Sequence, residues 1–204
     1  MDNMIITIGR QYGSGGREIG EKLAEQLGYT YYDTLILEKA SKESGITQSV
    51  MKRYDEQLAD KWLNPMVTRC MTKDNLPLSV RIALAQFEII RQIGEKGAAV
   101  IVGRCADHVL RNRENVLTVF VHADQEHRLR RVVGRNNISV NEAETRIRNT
   151  DKHRAAYYNY YAEKKWGAAT TYQLCLDSGA LGIDGVVNLL QYCVAEVLKK
   201  RRFE

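Results

Sequence analysis

Gly9-Arg-Gln-Tyr-Gly-Ser-Gly-Gly-Arg-Glu-Ile-Gly20 is the stretch that decides the fold. It follows an apolar run, Met-Ile-Ile-Thr-Ile at 4–8, and opens a segment whose Ile19, Leu23 and Leu27 recur at helical spacing. A strand, a glycine-rich turn and a helix in that order aim backbone N–H groups and the positive end of a helix at one point. Glycines let the backbone curl around an anion without a Cβ clash, so phosphate is the natural ligand. The competing reading is a turn that serves only close packing of strand and helix.

Outward from this turn, short apolar runs alternate with helical patterns. The runs at 4–8, 29–32, 98–103, 117–122 and 172–177 predict five strands. They are nearly continuous in apolar residues, as expected of a parallel sheet covered on both faces. Helices are predicted over 16–27, stopped by Gly28, and over 79–95. Ser139-Val-Asn-Glu142 has capping-box spacing and starts a helix running past Asp151; Asp184 is the expected cap of the last helix. The fold class is therefore α/β. The segment 46–78 has weak periodicity and holds both prolines, so it and 134–160 are expected to hang off the core and move.

The 204 residues are 44% hydrophobic and 27% charged, which excludes collagenous and disordered classes and suits one domain. The four cysteines (Cys70, Cys105, Cys175 and Cys193) form no C-x-x-C pair or zinc-ligand cluster, so a reducing, cytoplasmic setting is expected. No apolar run reaches the ~18 residues of a membrane span, and the N-terminus lacks signal-peptide architecture, so no membrane partner is expected. Nearly all of the +5 net charge falls between Glu126 and Arg154, where eight Lys or Arg face four Asp or Glu. That segment reads as a solvated helix face in preference to a nucleic-acid surface.

The glycine turn departs from the Walker A pattern G-x-x-x-x-G-K-[ST]. Gly16 occupies the lysine position, and Glu18 stands two residues later where a Ser or Thr would be expected; Arg17 is the candidate replacement cation. The other pieces then point one way. ITIGRQYGSGGREIGEKLAEQLGYTYYD (6–33), SVRIALAQFEIIRQ (79–92), VIVGRCAD (100–107), VFVHADQEHRLRR (119–131), RIRNTDKHR (146–154) and LCLDSGALGIDGVV (174–187) occur in family order, and the sequence resembles the cytidylate kinase-like family.

The resemblance implies a three-layer P-loop fold with a five-stranded parallel sheet. It is read as a single domain over 1–204: core at about 1–45, 79–133 and 165–204, acceptor-binding insert at about 46–78, and arginine-rich lid at about 134–164. It also implies ATP and Mg²⁺ as cofactors and transfer of the γ-phosphoryl to a nucleoside monophosphate such as CMP or dCMP, or to another small acceptor. Such transfer is mostly positioning and charge neutralisation, so arginines should carry it.

Carried over by position, Gly13, Ser14, Gly15, Gly16, Arg17 and Glu18 would form the ATP phosphate site. Asp33, Arg81, Arg104, Arg148, Asp151 and Arg154 would serve the acceptor, with Arg146 nearby, and Arg17, Arg104, Asp151 and Arg154 would act in catalysis. Bidentate geometry is the reason for arginine at such positions. Other readings stand beside these. Arg104 could pair with Asp107, although a charge directly after an apolar strand favours the phosphate role; Arg81 reads equally as a solvated first-turn residue, and Asp151 with Arg154 equally as an i,i+3 pair. Arg128, Arg130 and Arg131 read as solvated charges. Magnesium would fall to water or to Asp33 or Asp107; no metal cluster is expected. The position that is acidic after Gly-Arg in cytidylate kinases is Cys105 here, read as a small buried filler. Tyr157-Tyr158-Asn159-Tyr160-Tyr161 and Trp166 read as packing against the core or a second copy in a homo-oligomer. The alternative function is a nucleotide-binding or regulatory protein that kept the fold and lost catalysis.

Overall fold

The computed structural model describes residues 4–51 and 76–201. Five parallel strands form one sheet in the order β2-β3-β1-β4-β5, with β1 Ile5–Arg10, β2 Thr30–Tyr32, β3 Ala99–Val102, β4 Val116–His122 and β5 Leu174–Asp177. All five expected strands are present. The helices are α1 Gly16–Leu27, α2 Thr34–Ser44, α3 Leu78–Lys96, α4 Ala106–Val109, α5 Gln125–Asn136, α6 Val140–Ala162 and α7 Ser178–Arg201.

Strand alternation sends each sheet face to its own helical layer. Ile6, Ile8, Val100, Val102, Val119 and Val121 pack with Ile19 and Leu23 of α1 and Val186, Val187 and Leu190 of α7. Ile5, Ile101 and Phe120 turn to the other layer, with Ile36 and Leu37 of α2, Ile89, Ile90 and Ile93 of α3, and Tyr158 of α6. Both faces are covered, which is why the strands read as near-continuous apolar runs.

Two expected caps hold: Gly28 ends α1 in the left-handed region (φ 67°), and Ser139 Oγ accepts from Glu142 N–H at 3.3 Å to start α6. Asp184 does not cap the last helix. That helix begins at Ser178 and breaks at Gly182 (φ 70°), while Asp184 accepts from Lys22 Nζ at 2.7 Å and ties α7 to α1. By length and composition α7 passes for a membrane span, although no uninterrupted apolar run suggested one; its Val186, Val187, Leu190 and Val194 are buried against the sheet. Most of the 46–78 insert lies outside the described residues, and so does Cys70.

The aromatic run packs, as read. Tyr158 is buried, Phe87 meets Tyr161 edge-on at 5.1 Å, and Phe120 meets Trp166 at 5.2 Å. Cys105 is a buried filler whose thiol is pushed well up by burial, then by Asp107.

Candidate functional site

β1 is central in the sheet, and its carboxyl end lies between β3 and β4, the place where open parallel sheets hold ligands. A cleft of about 930 Å³ opens there. Its floor is the glycine loop, with Gly13 and Gly15 at φ 83° and 80° and the N-terminus of α1 at Gly16. The two positive φ angles are what the glycines supply. Ser14 is buried; its Oγ donates to Gln11 O at 2.9 Å and its carbonyl accepts from Ser178 Oγ at 2.6 Å. The serine therefore shapes the loop, while Gly13, Gly15, Gly16 and Arg17 line the cleft.

Asp33, at the start of α2, is the charge centre. Its side chain is 3% exposed. Arg17 donates to it through Nε at 2.7 Å and through a terminal nitrogen at 2.6 Å, and a terminal nitrogen of Arg104 stands 3.5 Å from its other oxygen. Burial alone would push the Asp33 pKa up, but Arg10, Arg104 and Arg17 outweigh it and hold the carboxyl below its ordinary value. Arg104 does not pair with Asp107. It reaches Asp33 and donates to Gln86 Oε1 at 3.2 Å, because the chain leaves β3 through three successive positive φ angles at Gly103, Arg104 and Cys105. Such angles cost about 1–2 kcal/mol per non-glycine residue and persist where the surroundings enforce them. They turn Arg104 back over the sheet edge with a side chain only 7% exposed.

The lid residues divide. Asp151 accepts from Tyr12 N–H at 2.7 Å through one oxygen and pairs with Arg128 through the other. Arg128 is buried and donates through Nε to Tyr12 O at 2.8 Å, so it is no solvated helix charge. Burial pushes the Asp151 pKa up, against the opposing pull of Tyr12 N–H and Arg128. Asp151 is thus a brace between α6 and the glycine loop, with Arg154 also acting on its charge. Arg154 donates to Arg10 O at 3.0 Å, lies 5.6 Å from the centre of the Tyr12 ring, and lines the cleft.

Arg146 also lines the cleft, whereas Arg148 and Arg81 stand on exposed helix faces outside it. Ser79, Ile82, Ala83 and Gln86 are what α3 presents instead. Arg131 pairs with Glu18 at 2.6 Å and lines the cleft beside the loop, while Arg130 is exposed and pairs with Glu126. Sequence reasoning missed Arg10, Gln86 and the bracing role of Arg128. One signal for Arg10 was available: the dipeptide Gly-Arg closes the strand at 9–10 and recurs at 103–104.

Asp151→Ala leaves Arg128 buried without its carboxylate and Tyr12 N–H without its acceptor. The expected loss of stability is about 2–3 kcal/mol, read by urea denaturation. Asp151→Asn keeps an acceptor oxygen and should lose roughly half as much.

The cleft fits nucleotide phosphates: glycine N–H groups, a helix N-terminus and arginines surround it. It does not fit a magnesium ion held directly by the protein. Glu18 is taken by Arg131; Asp33 is taken by arginines; and Asp107 accepts from Tyr158 Oη at 2.5 Å. Among the described residues no three His, Cys, Asp or Glu stand together as metal ligands. Neither aspartate considered for magnesium is available to it; the ion's remaining partners would be phosphate oxygens and water.

Comparison with known proteins agrees with this architecture. A cytidylate kinase of Thermococcus kodakarensis is 28% identical over 196 residues, covering 94% of this chain and 88% of that protein. One of Methanopyrus kandleri is 25% identical over 207 residues, covering 97% and 96%. The crystal structure of an uncharacterized protein from Eubacterium ventriosum superposes with a TM-score of 0.71 at 29% identity, covering 94% of this chain and 98% of that one. Shikimate kinase from Bacteroides thetaiotaomicron, at 14% identity and a TM-score of 0.56 with 94% and 98% covered, shares the fold. The sequence profile of the cytidylate kinase-like family matches residues 5–180, and the chain belongs to that family.

Proposed function

We propose that this protein transfers the γ-phosphoryl group of ATP to a nucleoside monophosphate of the CMP or dCMP type. One observation carries the reading: Arg17 and Arg104, from two separate elements, converge on the Asp33 carboxylate at the strand ends, with Arg10 close enough to act on it, beside a loop shaped for phosphate. Guanidinium groups gathered at one small anion are what neutralising a migrating phosphoryl group requires.

In this reading Gly13, Gly15 and Gly16 cradle the donor phosphates and Arg17 flanks them. Arg104 grips the acceptor phosphate, exchanging its 3.5 Å contact with Asp33 for the incoming anion. Arg154 and Arg146 approach from α6, over the cleft. Magnesium brought in on the donor phosphates would supply charge neutralisation there; the chain's own part is to orient the phosphates and exclude water.

The test is ADP release from Mg-ATP by the full chain across CMP, dCMP, UMP and AMP, with an acceptor-free blank. Release that depends on CMP or dCMP is expected. A second reading, a nucleotide-binding protein without transfer, draws on Gly16 at the lysine position. It prevails if ATP binds and no acceptor elicits turnover.

A further inference from the structure

A glycine at the Walker lysine position removes the cation that ordinarily lies against the β- and γ-phosphates. The backbone does not ask for glycine there, since Gly16 is the first residue of α1 and is absent from the positive-φ positions. The reason is a neighbour. A Cβ at residue 16 would stand 2.6 Å from Arg10 Cβ and 3.0 Å from Arg10 Cγ; the next nearest atom, Val121 Cβ, is 3.7 Å away. Among the described residues, the Arg10 stem is what a side chain at 16 would meet first.

The rest of Arg10 continues towards the cleft, which it lines. Its guanidinium lies over Gly103, where a Cβ would come within 1.9 Å of one terminal nitrogen and 2.8 Å of the central carbon. Gly103 directly precedes Arg104. The Arg10 cation thus spans from the glycine loop to the acceptor arginine, across the gap a transferred phosphoryl group would cross. The Arg10 carbonyl accepts from Arg154, which fixes the backbone from which this side chain departs. The Arg10 side chain thus accounts for glycine at 16 and leaves no room for a side chain at 103, where the positive φ of 79° favours glycine as well.

We infer that Arg10 takes the place of the missing Walker lysine: the phosphate-binding cation has moved from the first turn of α1 to the last residue of β1. This rests on the phosphotransfer reading for its ligand, and it names Arg10, where position in the loop had nominated Arg17. Arg10 and Arg17 both act on Asp33, but Arg17 is half exposed, whereas the Arg10 stem occupies the lysine's own space.

The experiment is calorimetric titration of full-length wild type, Arg10→Gln, and the swap Arg10→Gly/Gly16→Lys with Mg-ATP and Mg-ADP, each protein's melting curve recorded beside it. The swap uses glycine at 10 because an alanine Cβ would still collide with a side chain at 16. Arg10→Gln keeps the stem packed on Gly16, so it reports loss of the charge even if the swap does not fold. Expected is a 10- to 100-fold weaker grip on ATP in Arg10→Gln, roughly the worth of a charge-assisted hydrogen bond, with a smaller loss for ADP. A folded swap regains about tenfold or more of that loss.

Unchanged ATP affinity in Arg10→Gln overturns the assignment, as does a folded swap no better than Arg10→Gln. Wild type that binds ATP through Arg10 but transfers to no acceptor upholds the assignment and defeats the transfer reading. Transfer and ATP affinity that survive Arg10→Gln do the reverse, and wild type that binds no ATP defeats both.

Discussion

Arg104→Ala is expected to lower acceptor-dependent ADP release by about 10³-fold while ATP affinity changes less than about threefold. The arginine reaches the cleft from the turn after β3, away from the glycine loop, so its loss strips charge from the acceptor side. A methyl group cannot neutralise a phosphoryl group in flight, and water admitted to a 7%-exposed position would screen what charge remains. Steady-state kinetics with varied CMP and a separate ATP titration distinguish the outcomes. Equal loss of both functions would mean that Arg104 supports the whole cleft; loss of neither would remove it from the reaction.

Asp33→Ala should have the largest effect on stability. It deletes a 3%-exposed carboxylate and leaves Arg10, Arg17 and Arg104 facing one another. Removing one partner from a buried ionic cluster costs about 3–5 kcal/mol, and the half-exposed Arg17 moves the expectation to the lower end. Inorganic phosphate should raise the melting temperature of this variant more than that of wild type, since the anion enters the place Asp33 gave up. The pH dependence follows from the direction of the shift. Asp33 titrates lower in the folded chain than its ordinary value of 3.8, so its contribution is fully present above that value and drains away as pH falls through the depressed folded pKa. Wild type should therefore lose stability below about pH 4, and Asp33→Ala should lose less over the same interval. Identical acid limbs in the two melting profiles would contradict the charge-centre assignment.

The sheet was legible because its central strands are buried on both faces and nearly continuous in apolar residues, and the glycine turn was legible because a strand preceded it and a helix followed. α2, over Thr34–Ser44, was not: Lys, Glu and Ser interrupt its apolar stripe, and only its packing under α3 makes the stripe count. The site was half legible. Arg104 and Asp33 could be nominated from a family pattern, but their mutual contact depends on three backbone angles after β3 that no residue type announces, Arg104 and Cys105 being ordinary L-residues in the left-handed region. The positions of Arg81 and Arg148 were not legible for a simpler reason. A helical pattern gives the face of an arginine only to within a turn, and both stand exposed outside the cleft. Arg10 was hidden because a pattern search asks which residue stands at the lysine position and finds glycine, while the space itself is filled from another element.

The clasp between Tyr12 and Asp151 joins residues 139 positions apart in the chain. A polypeptide emerging from the ribosome exposes the glycine turn long before Arg128, Asp151 and Arg154, all of which must follow before that turn is tied down. Synthesis proceeds at about 5–20 residues per second, so several seconds separate the turn from its fasteners. During that interval the nascent chain has the motif without the means to hold it in shape.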